Sequence, residues 1–254
     1  MRNMKVLSLF DGISCGMVAL ERAEIEVERY VAYEIDKYAI QVSKKNYPQI
    51  EHKGNVFDAD FKQYKGFDLL IGGSPCTYWS IAKNNRETTP DGIGGKLFME
   101  YVRALRESEC RWFLYENNYS IHKNIKDFIS DQLGVEPIMI NSALVSAQTR
   151  KRCYWTNIPN VTQPEDKGIL LEDIIIGGGV RNPRNKKQMP DSELQWGGSL
   201  EQFGEKSADN GCYPIKVGKQ GREVKINNGK ALCILARDYK GFGNQEMNGV
   251  AEIL

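Results

Sequence analysis

The amino-acid sequence predicts an α/β fold: an open, mostly parallel sheet with helices on both faces, followed by a smaller loop-rich lobe. Two observations predict it. Through roughly the first 160 residues, short apolar runs alternate with one-sided amphipathic stretches, the pattern of strands joined by crossover helices. Beyond that point the alternation stops and glycine takes over. Of the 24 glycines, 14 lie in the last 94 residues, including Gly177–Gly179 and Gly197-Gly198. A chain of 254 residues is long enough for one sizeable α/β domain plus an appendage.

The elements follow in order. Lys5–Phe10 (KVLSLF) reads as a buried strand, followed by a glycine-bearing turn and a short helix, Met17–Arg22. Arg29–Ile35 is a second strand, and Lys37–Asn46 a helix stopped by Tyr47-Pro48. A third strand is expected to end at Asn55, and Asp68–Ile71 is a strand running into Gly72-Gly73-Ser74-Pro75. Leu97–Glu107 carries apolar residues at 97, 98, 101, 102 and 105, the spacing of a one-sided helix. Arg111–Tyr115 is a strand, Asn124–Leu133 a helix closed by Gly134, Pro137–Ile140 a strand, and Arg152–Thr156 completes the series. In such sheets ligands sit outside the carboxyl ends of the strands.

Composition excludes several classes. The net charge of +1 gives no global basic field, so a nucleic-acid surface must come from local patches. Six cysteines (Cys15, Cys76, Cys110, Cys153, Cys212 and Cys233) form no CxxC pair, and with only two histidines no metal site is expected. No apolar stretch approaches the ~20 residues of a membrane span, and the chain begins directly with a strand-like run. A reducing cytoplasm with free thiols is the expected compartment.

The chemistry-bearing motifs all fall at strand ends. Phe10-Asp11-Gly12-Ile13-Ser14-Cys15-Gly16 follows the first strand, where glycines let the backbone approach a ligand and a helix start offers free N–H groups. It is not GxGxxG, which disfavours a dinucleotide. Glu34 ends the second strand, where a carboxylate can accept from both hydroxyls of a ribose, and Asn55 is placed to bond an adenine edge. Cys76, after Gly72-Gly73-Ser74-Pro75, is a candidate nucleophile at the mouth of the sheet. Tyr115-Glu116-Asn117 brings a carboxyl group to the same mouth, suited to donate a proton or hydrogen bond to a ring nitrogen. In Gln148-Thr149-Arg150-Lys151-Arg152, alternation along one extended run sends Gln148, Arg150 and Arg152 to one face. There the guanidinium groups can hold phosphate and a carbonyl oxygen, or position Glu116. Taken singly, each motif has a bland reading: a tight turn, a solvated charge, an inert cysteine, a solvated basic run. Their ordered recurrence at successive strand ends weighs against it.

Read in order, FDGISCG, YEID, GNV, GGSPC, YEN and QTRKR resemble the motif series of cytosine-5 DNA methyltransferases, over residues 4 to about 175. PCTYWS, YENN and QPEDKGILLEDI are similar to small bacterial and phage members, and also to the de novo vertebrate branch. The resemblance implies an S-adenosylmethionine-dependent, Rossmann-like methyltransferase fold. It implies a cofactor-binding catalytic domain at 1–158 and a target-recognition region at 159–254. Cys76 would add to C6 of a cytosine rotated out of double-stranded DNA, Glu116 would act at N3 with Asn117 orienting it, and Arg150 and Arg152 would grip the extruded nucleotide. Phe10, Asp11, Gly12, Cys15, Gly16, Glu34, Ile35, Asn55, Val56, Pro75 and Leu97 match cofactor positions. Tyr78–Arg86 matches the mobile loop that closes over DNA. Ser80, Arg86 and Gln148 are expected DNA contacts, together with the basic stretch Arg181, Arg184, Lys186 and Lys187. A second basic stretch, Lys216, Lys219, Arg222, Lys225 and Lys230, is offset only by Glu223.

Family members normally continue into further motifs that complete the cofactor pocket, whereas this sequence stops at Gly249–Leu254. The expectation is a chain lacking its C-terminal segment: a split enzyme completed by a second chain, a truncated product, or an excised piece, with weak cofactor binding and little activity alone. Two other readings stay open: a catalytically silent DNA-binding or regulatory methyltransferase-like subunit, and an RNA rather than DNA substrate. Amino-methylating enzymes are disfavoured, because Ser-Pro-Cys-Thr stands where they carry Asp/Ser/Asn-Pro-Pro-aromatic. Restriction protection, phage self-marking and regulation are equally open as settings.

Overall fold

The run MKVLSL forms strand β1 (Met4–Leu9), and its alternating side chains enter two separate apolar layers. The structure, a computed structural model, describes residues 3–81 and 85–174, and by backbone the strands β9 (Cys212–Val217), β10 (Val224–Ile226), β11 (Ala231–Leu232) and β12 (Asn248–Glu252). After β1 come α1 (Cys15–Arg22), β2 (Val27–Tyr33), α2 (Lys37–Asn46), β3 (Glu51–His52), β4 (Leu69–Gly72), α3 (Ile93–Ser108), β5 (Trp112–Asn118), α4 (Lys123–Leu133), β6 (Ile138–Asn141), β7 (Gln148–Thr149) and β8 (Lys151–Thr156). The chain divides into two compact units. The first holds Met1–Ile140 and Lys151–Gln163; the second holds Asn141–Arg150 and Pro164–Leu254.

The first unit is built on a sheet of order β3-β2-β1-β4-β5-β8-β6. β1 pairs in parallel with β2 and β4, β2 with β3, and β4 with β5, while β8 runs antiparallel to β5. This is the mostly parallel sheet that the sequence predicts. The order reverses at β1, so the carboxyl ends of β1 and β4 adjoin at a topological switch point, with Leu9 opposite Gly72. Leu7 and Leu9 enter the larger core with Phe98, Tyr101 and Val102 of α3 and Ile125 and Ile129 of α4. Val6 enters the smaller core with Leu20 of α1 on the other face. Burial on both faces is what a parallel sheet requires.

Local signals set the helix ends. Asp36 caps α2 by accepting from the N–H groups of Tyr38 (2.8 Å) and Ala39 (3.1 Å). Gly134 closes α4 with φ +69°. Several boundaries move by one to three residues, β5 for example running to Asn118 and not ending at Tyr115, and two further differences bear on the site. Helix α3 starts at Ile93, four residues before Leu97, because Glu87 accepts from the N–H groups of Ile93 and Gly94 (3.1 Å each) and Gly94 lies directly against the buried Trp79 indole. Strand β3 has two residues only, and Asn55 caps a 3-10 turn, Val56–Asp58, instead of ending a strand.

Of the second unit the structure gives β9 flanked antiparallel by β10 and β12, and a parallel pair, β7 with β11. No helix among the described residues is long and apolar enough to cross a membrane.

Candidate active site at the carboxyl ends of the parallel strands

The turn after β1 is built from left-handed backbone. Phe10 (φ +56°), Gly12 (φ +60°) and Ser14 (φ +65°) all occupy a region that L side chains visit at a cost of about 1–2 kcal/mol. That strain is held by a polar hub. The Asp11 carboxylate turns inward and accepts from the Ser8 hydroxyl (2.5 Å), the Tyr30 hydroxyl (2.8 Å) and the buried Ser14 hydroxyl. Ser14 continues to Ser43 Oγ (2.6 Å), and Ser43 to His52 Nε2 (3.1 Å). Burial pushes the Tyr30 phenol well up, with the Asp11 charge adding to it, so this hydroxyl keeps its proton and donates. Nothing lies within 4 Å of where a Gly12 side chain would stand, whereas a Gly16 Cβ would meet Ile71 and the Tyr30 hydroxyl. Gly12 therefore faces open space, and Gly16 is required by packing. Cys15 is exposed and Phe10 packs partly against the larger core.

Glu34, just past β2, is fixed by three backbone donors: Gly12 N–H to Oε2 (2.8 Å), and Ile35 and Asp36 N–H to Oε1 (2.7 and 2.8 Å). Oε1 is filled by its two donors, and Oε2 keeps one free acceptor site. Beside it Ile35 is 74% exposed, and past the neighbouring β3 Phe57 is 51% exposed, while Val56 is buried. Asn55 Oδ1 accepts from Phe57 N–H (3.2 Å), which leaves its amide nitrogen available. The sequence reading missed Phe57: a single aromatic after GNV carries no periodicity, and only its exposure singles it out.

Cys76 opens a 3-10 turn, Cys76–Tyr78, after an exposed Pro75 and is itself half-buried. Two features lock this turn to β5. Asn117, 1% exposed, donates from its amide to the Ser74 carbonyl and the Tyr115 hydroxyl (3.2 Å each), and the Ser74 and Tyr115 hydroxyls lie 2.6 Å apart. A Cβ on Gly73 would stand 2.7 Å from the Glu116 carbonyl oxygen and 3.1 Å from Glu116 Oε2. Gly73 is thus the condition for Glu116 to lie against the segment leading to Cys76. Glu116 in turn pairs with Arg152, Nε to Oε1 at 2.7 Å. The register explains the pairing: Arg152 is opposite Asn118, so it reaches Glu116 along the diagonal of an antiparallel pair.

The loop beyond Cys76 carries Ser80, whose N–H bonds the Cys76 carbonyl (2.8 Å), and Arg86, which donates to the Ser120 carbonyl (2.8 Å). Leu97 packs on the larger core. The QTRKR run is not one extended face. It is split between β7 and β8, in different sheets, with Arg150 between them. Within the second unit, Arg150 N–H bonds Asn141 Oδ1 (3.0 Å), its carbonyl accepts from Ser142 N–H (3.1 Å), and Gln148 pairs with Ala231. Arg181, Arg184, Lys186 and Lys187, and the side chains of the second basic stretch, lie outside the described residues. Among the described residues no group of three or more His, Cys, Asp or Glu could hold a metal ion.

The chain is similar to the orphan methyltransferase M.Rho11sI of Bacillus phage rho11s, at 37% identity over 123 residues, 46% of this chain and 23% of that protein. It is similar to the type II methyltransferase M.NgoPII of Neisseria gonorrhoeae, at 30% identity over 199 residues, 68% of this chain and 56% of that protein. With the type II methyltransferase M1.ScrFI of Lactococcus lactis subsp. cremoris it shares 31% identity over 160 residues, 59% of this chain and 40% of that protein. The chain spans about a quarter to about half the length of these relatives. The family model of the C-5 cytosine-specific DNA methylases matches residues 4–215, and the chain belongs to that family.

Proposed function

We propose that this chain transfers a methyl group from S-adenosylmethionine to C5 of a cytosine extruded from double-stranded DNA, with Cys76 as the nucleophile. One observation carries the reading: the Cys76 turn and the Glu116 carboxylate are locked together by Gly73, Asn117 and Tyr115 at the switch point of the sheet. Adjacent nucleophile and carboxyl group are what activation of a pyrimidine ring demands.

The residues present fit the cofactor. Glu34, oriented by three N–H groups with an acceptor site spare on Oε2, suits a ribose hydroxyl. Exposed Ile35 and Phe57 offer apolar surface for a purine, the Asn55 amide suits its edge, and the open space over Gly12 leaves room for close approach. The remaining cofactor positions, Phe10, Asp11, Cys15, Gly16, Val56, Pro75 and Leu97, shape or support that ground. S-adenosylmethionine, when bound, supplies an electrophilic methyl group.

Extrusion of the base costs a few kcal/mol of stacking, which contacts in the open site must offset. Cys76 Sγ, as the thiolate, forms a bond to C6, and the ring electrons move towards C5. Glu116 donates to N3 and so keeps negative charge from accumulating on the ring, while Arg152, 2.7 Å from its other oxygen, orients it. Arg150 and Arg152 hold the extruded nucleotide, and Ser80, Arg86, Gln148 and the Arg181–Lys187 stretch contact the duplex. Once C5 is methylated, loss of its proton returns electrons to the ring and breaks the Cys76 Sγ–C6 bond. A reducing cytoplasm, which keeps Cys76 a free thiol, is the matching compartment.

The test is capture by a duplex containing 5-fluorocytosine in the presence of S-adenosylmethionine, where the missing C5 proton traps the adduct. A covalent band that disappears in Cys76→Ser is expected. DNA binding without any band would instead identify a silent subunit, and preferential competition by RNA oligonucleotides would reassign the substrate.

A further inference from the structure

Arg103 on α3 uses every N–H it has. Nε donates to Glu100 Oε2 (2.9 Å); Nη2 donates to Glu100 Oε2 (2.6 Å) and to the Val56 carbonyl (3.0 Å); Nη1 donates to the Ala59 carbonyl (2.9 Å) and to Glu107 Oε2 (3.3 Å). Five contacts match the five donors of a guanidinium. Its face lies 4.5 Å from the centroid of the Phe61 ring. Side chains so completely matched act as fixed braces, and this one braces a segment 44 to 47 residues away in sequence.

That segment needs a brace. Strand β3 pairs with β2 through two residues, and the last backbone bond to the sheet there is Lys53 N–H to the Ala32 carbonyl (2.9 Å). The chain then leaves the sheet as the 3-10 turn Val56–Asp58, with Asn55 capping its start and Phe57 projecting outward. The Val56 and Ala59 carbonyls, on either side of Phe57, are the two that Arg103 holds. Glu100 and Glu107 fix the guanidinium from the helix side at i−3 and i+4.

We propose that Arg103 is a positioning residue for the adenosyl end of the cofactor, setting where Asn55 and Phe57 stand opposite Glu34. The proposal rests on the cofactor reading of Asn55 given above. Arg103 itself touches no cofactor: it acts through the two carbonyls. A lysine keeps the charge and one ion pair but cannot span both carbonyls and both carboxylates, since its three donors radiate from one nitrogen.

The experiment is titration calorimetry of the full chain with S-adenosylmethionine and with S-adenosylhomocysteine, for the unaltered protein, Arg103→Lys and Glu107→Gln, alongside thermal unfolding and methyl transfer. Arg103→Lys is expected to raise Kd and the KM for S-adenosylmethionine about tenfold, equivalent to one charge-assisted hydrogen bond, with binding stoichiometry and kcat preserved. Glu107→Gln keeps a hydrogen-bond acceptor and is expected to shift Kd by less. An unchanged Kd in Arg103→Lys, or a fall in stoichiometry with Kd unchanged, would overturn the positioning role and leave Arg103 a fold-stabilising residue. If the unaltered chain binds neither ligand, the cofactor reading fails and this proposal with it.

Discussion

Replacing Gly73 by alanine tests the geometry that joins the two candidate catalytic groups. The added Cβ would stand 2.7 Å from the Glu116 carbonyl oxygen, 3.1 Å from Oε2 and 3.6 Å from the carbonyl carbon. Ordinary contact is about 3.5 Å or more, so β4 and β5 must part by nearly 1 Å at their ends. The obstruction is backbone, which no rotamer change relieves. That backbone is held from the other side by β8, where Glu116 is opposite Tyr154, and by the Arg152 ion pair. Overpacking of this kind costs about 1–3 kcal/mol, and for a chain of this size each kcal/mol lowers Tm by about 2–4 °C. The functional effect should be larger, because displacing a catalytic group by about 1 Å can cost on the order of 100-fold in rate. Gly66→Ala, outside the site, is the control: its φ of +86° makes it strained, at about 1 kcal/mol, but no atom stands within 4 Å to be pushed. Thermal unfolding together with the rate of fluorocytosine capture separates the two effects. Gly73→Ala should lose capture far beyond its loss of stability. A variant matching the unaltered chain in both would refute the claim that Gly73 sets the approach of Glu116 to the Cys76 turn.

Two further outcomes follow from buried polar groups. Asn117→Ala removes the amide that ties β5 to the Ser74 carbonyl and leaves that carbonyl and the Tyr115 hydroxyl each short of one partner. A loss of about 1–3 kcal/mol in urea unfolding is expected, with slower capture. The second concerns pH. Burial holds the His52 imidazole below its ordinary value of 6.5; the Lys44 charge acts in the same direction, and Asp11 and Glu34 oppose it. The folded protein therefore binds this proton less readily than the unfolded chain. Stability on this account is full above about pH 6.5, falls as pH drops towards the folded-state value, and levels off below it. Urea midpoints measured from pH 7.5 to 5 should show that fall, and His52→Asn should lose this component of it; an identical pH profile in the variant would sink the assignment.

The parallel sheet was legible because it is coded locally. Each strand is a short apolar run, and each helix a one-sided stripe closed by a recognisable stop such as Gly134. The positions of Cys76, Glu116 and Glu34 at strand ends followed directly, since a strand end in an open α/β sheet is a place as well as a local feature. What stayed hidden depends on partners far along the chain. Gly92–Gly95 reads as loop composition, yet Gly94 is helical because Trp79 and Glu87 lie against it. QTRKR reads as one extended face, but pairing divides it between two sheets. The Asp11 carboxylate, in the middle of the FDGISCG turn, is drawn inward by Tyr30, 19 residues away.

These misses share a physical origin. A turn with three residues at positive φ cannot hold itself, and must be held by groups placed behind it. Ser8, Ser14, Tyr30 and Ser43 do so for the turn after β1, Arg103 for the turn after β3, and Asn117 for the turn after β4. Apart from Asn117, which the YEN motif singles out, none of these supporting side chains has a local pattern that distinguishes it from a solvated residue of its kind. The residues proposed to meet a ligand can therefore be named from motif order. The residues that aim them become visible only when hydrogen bonds spanning 19 to 47 residues are in place, and it is there that a conservative substitution such as Arg103→Lys should separate positioning from mere stability.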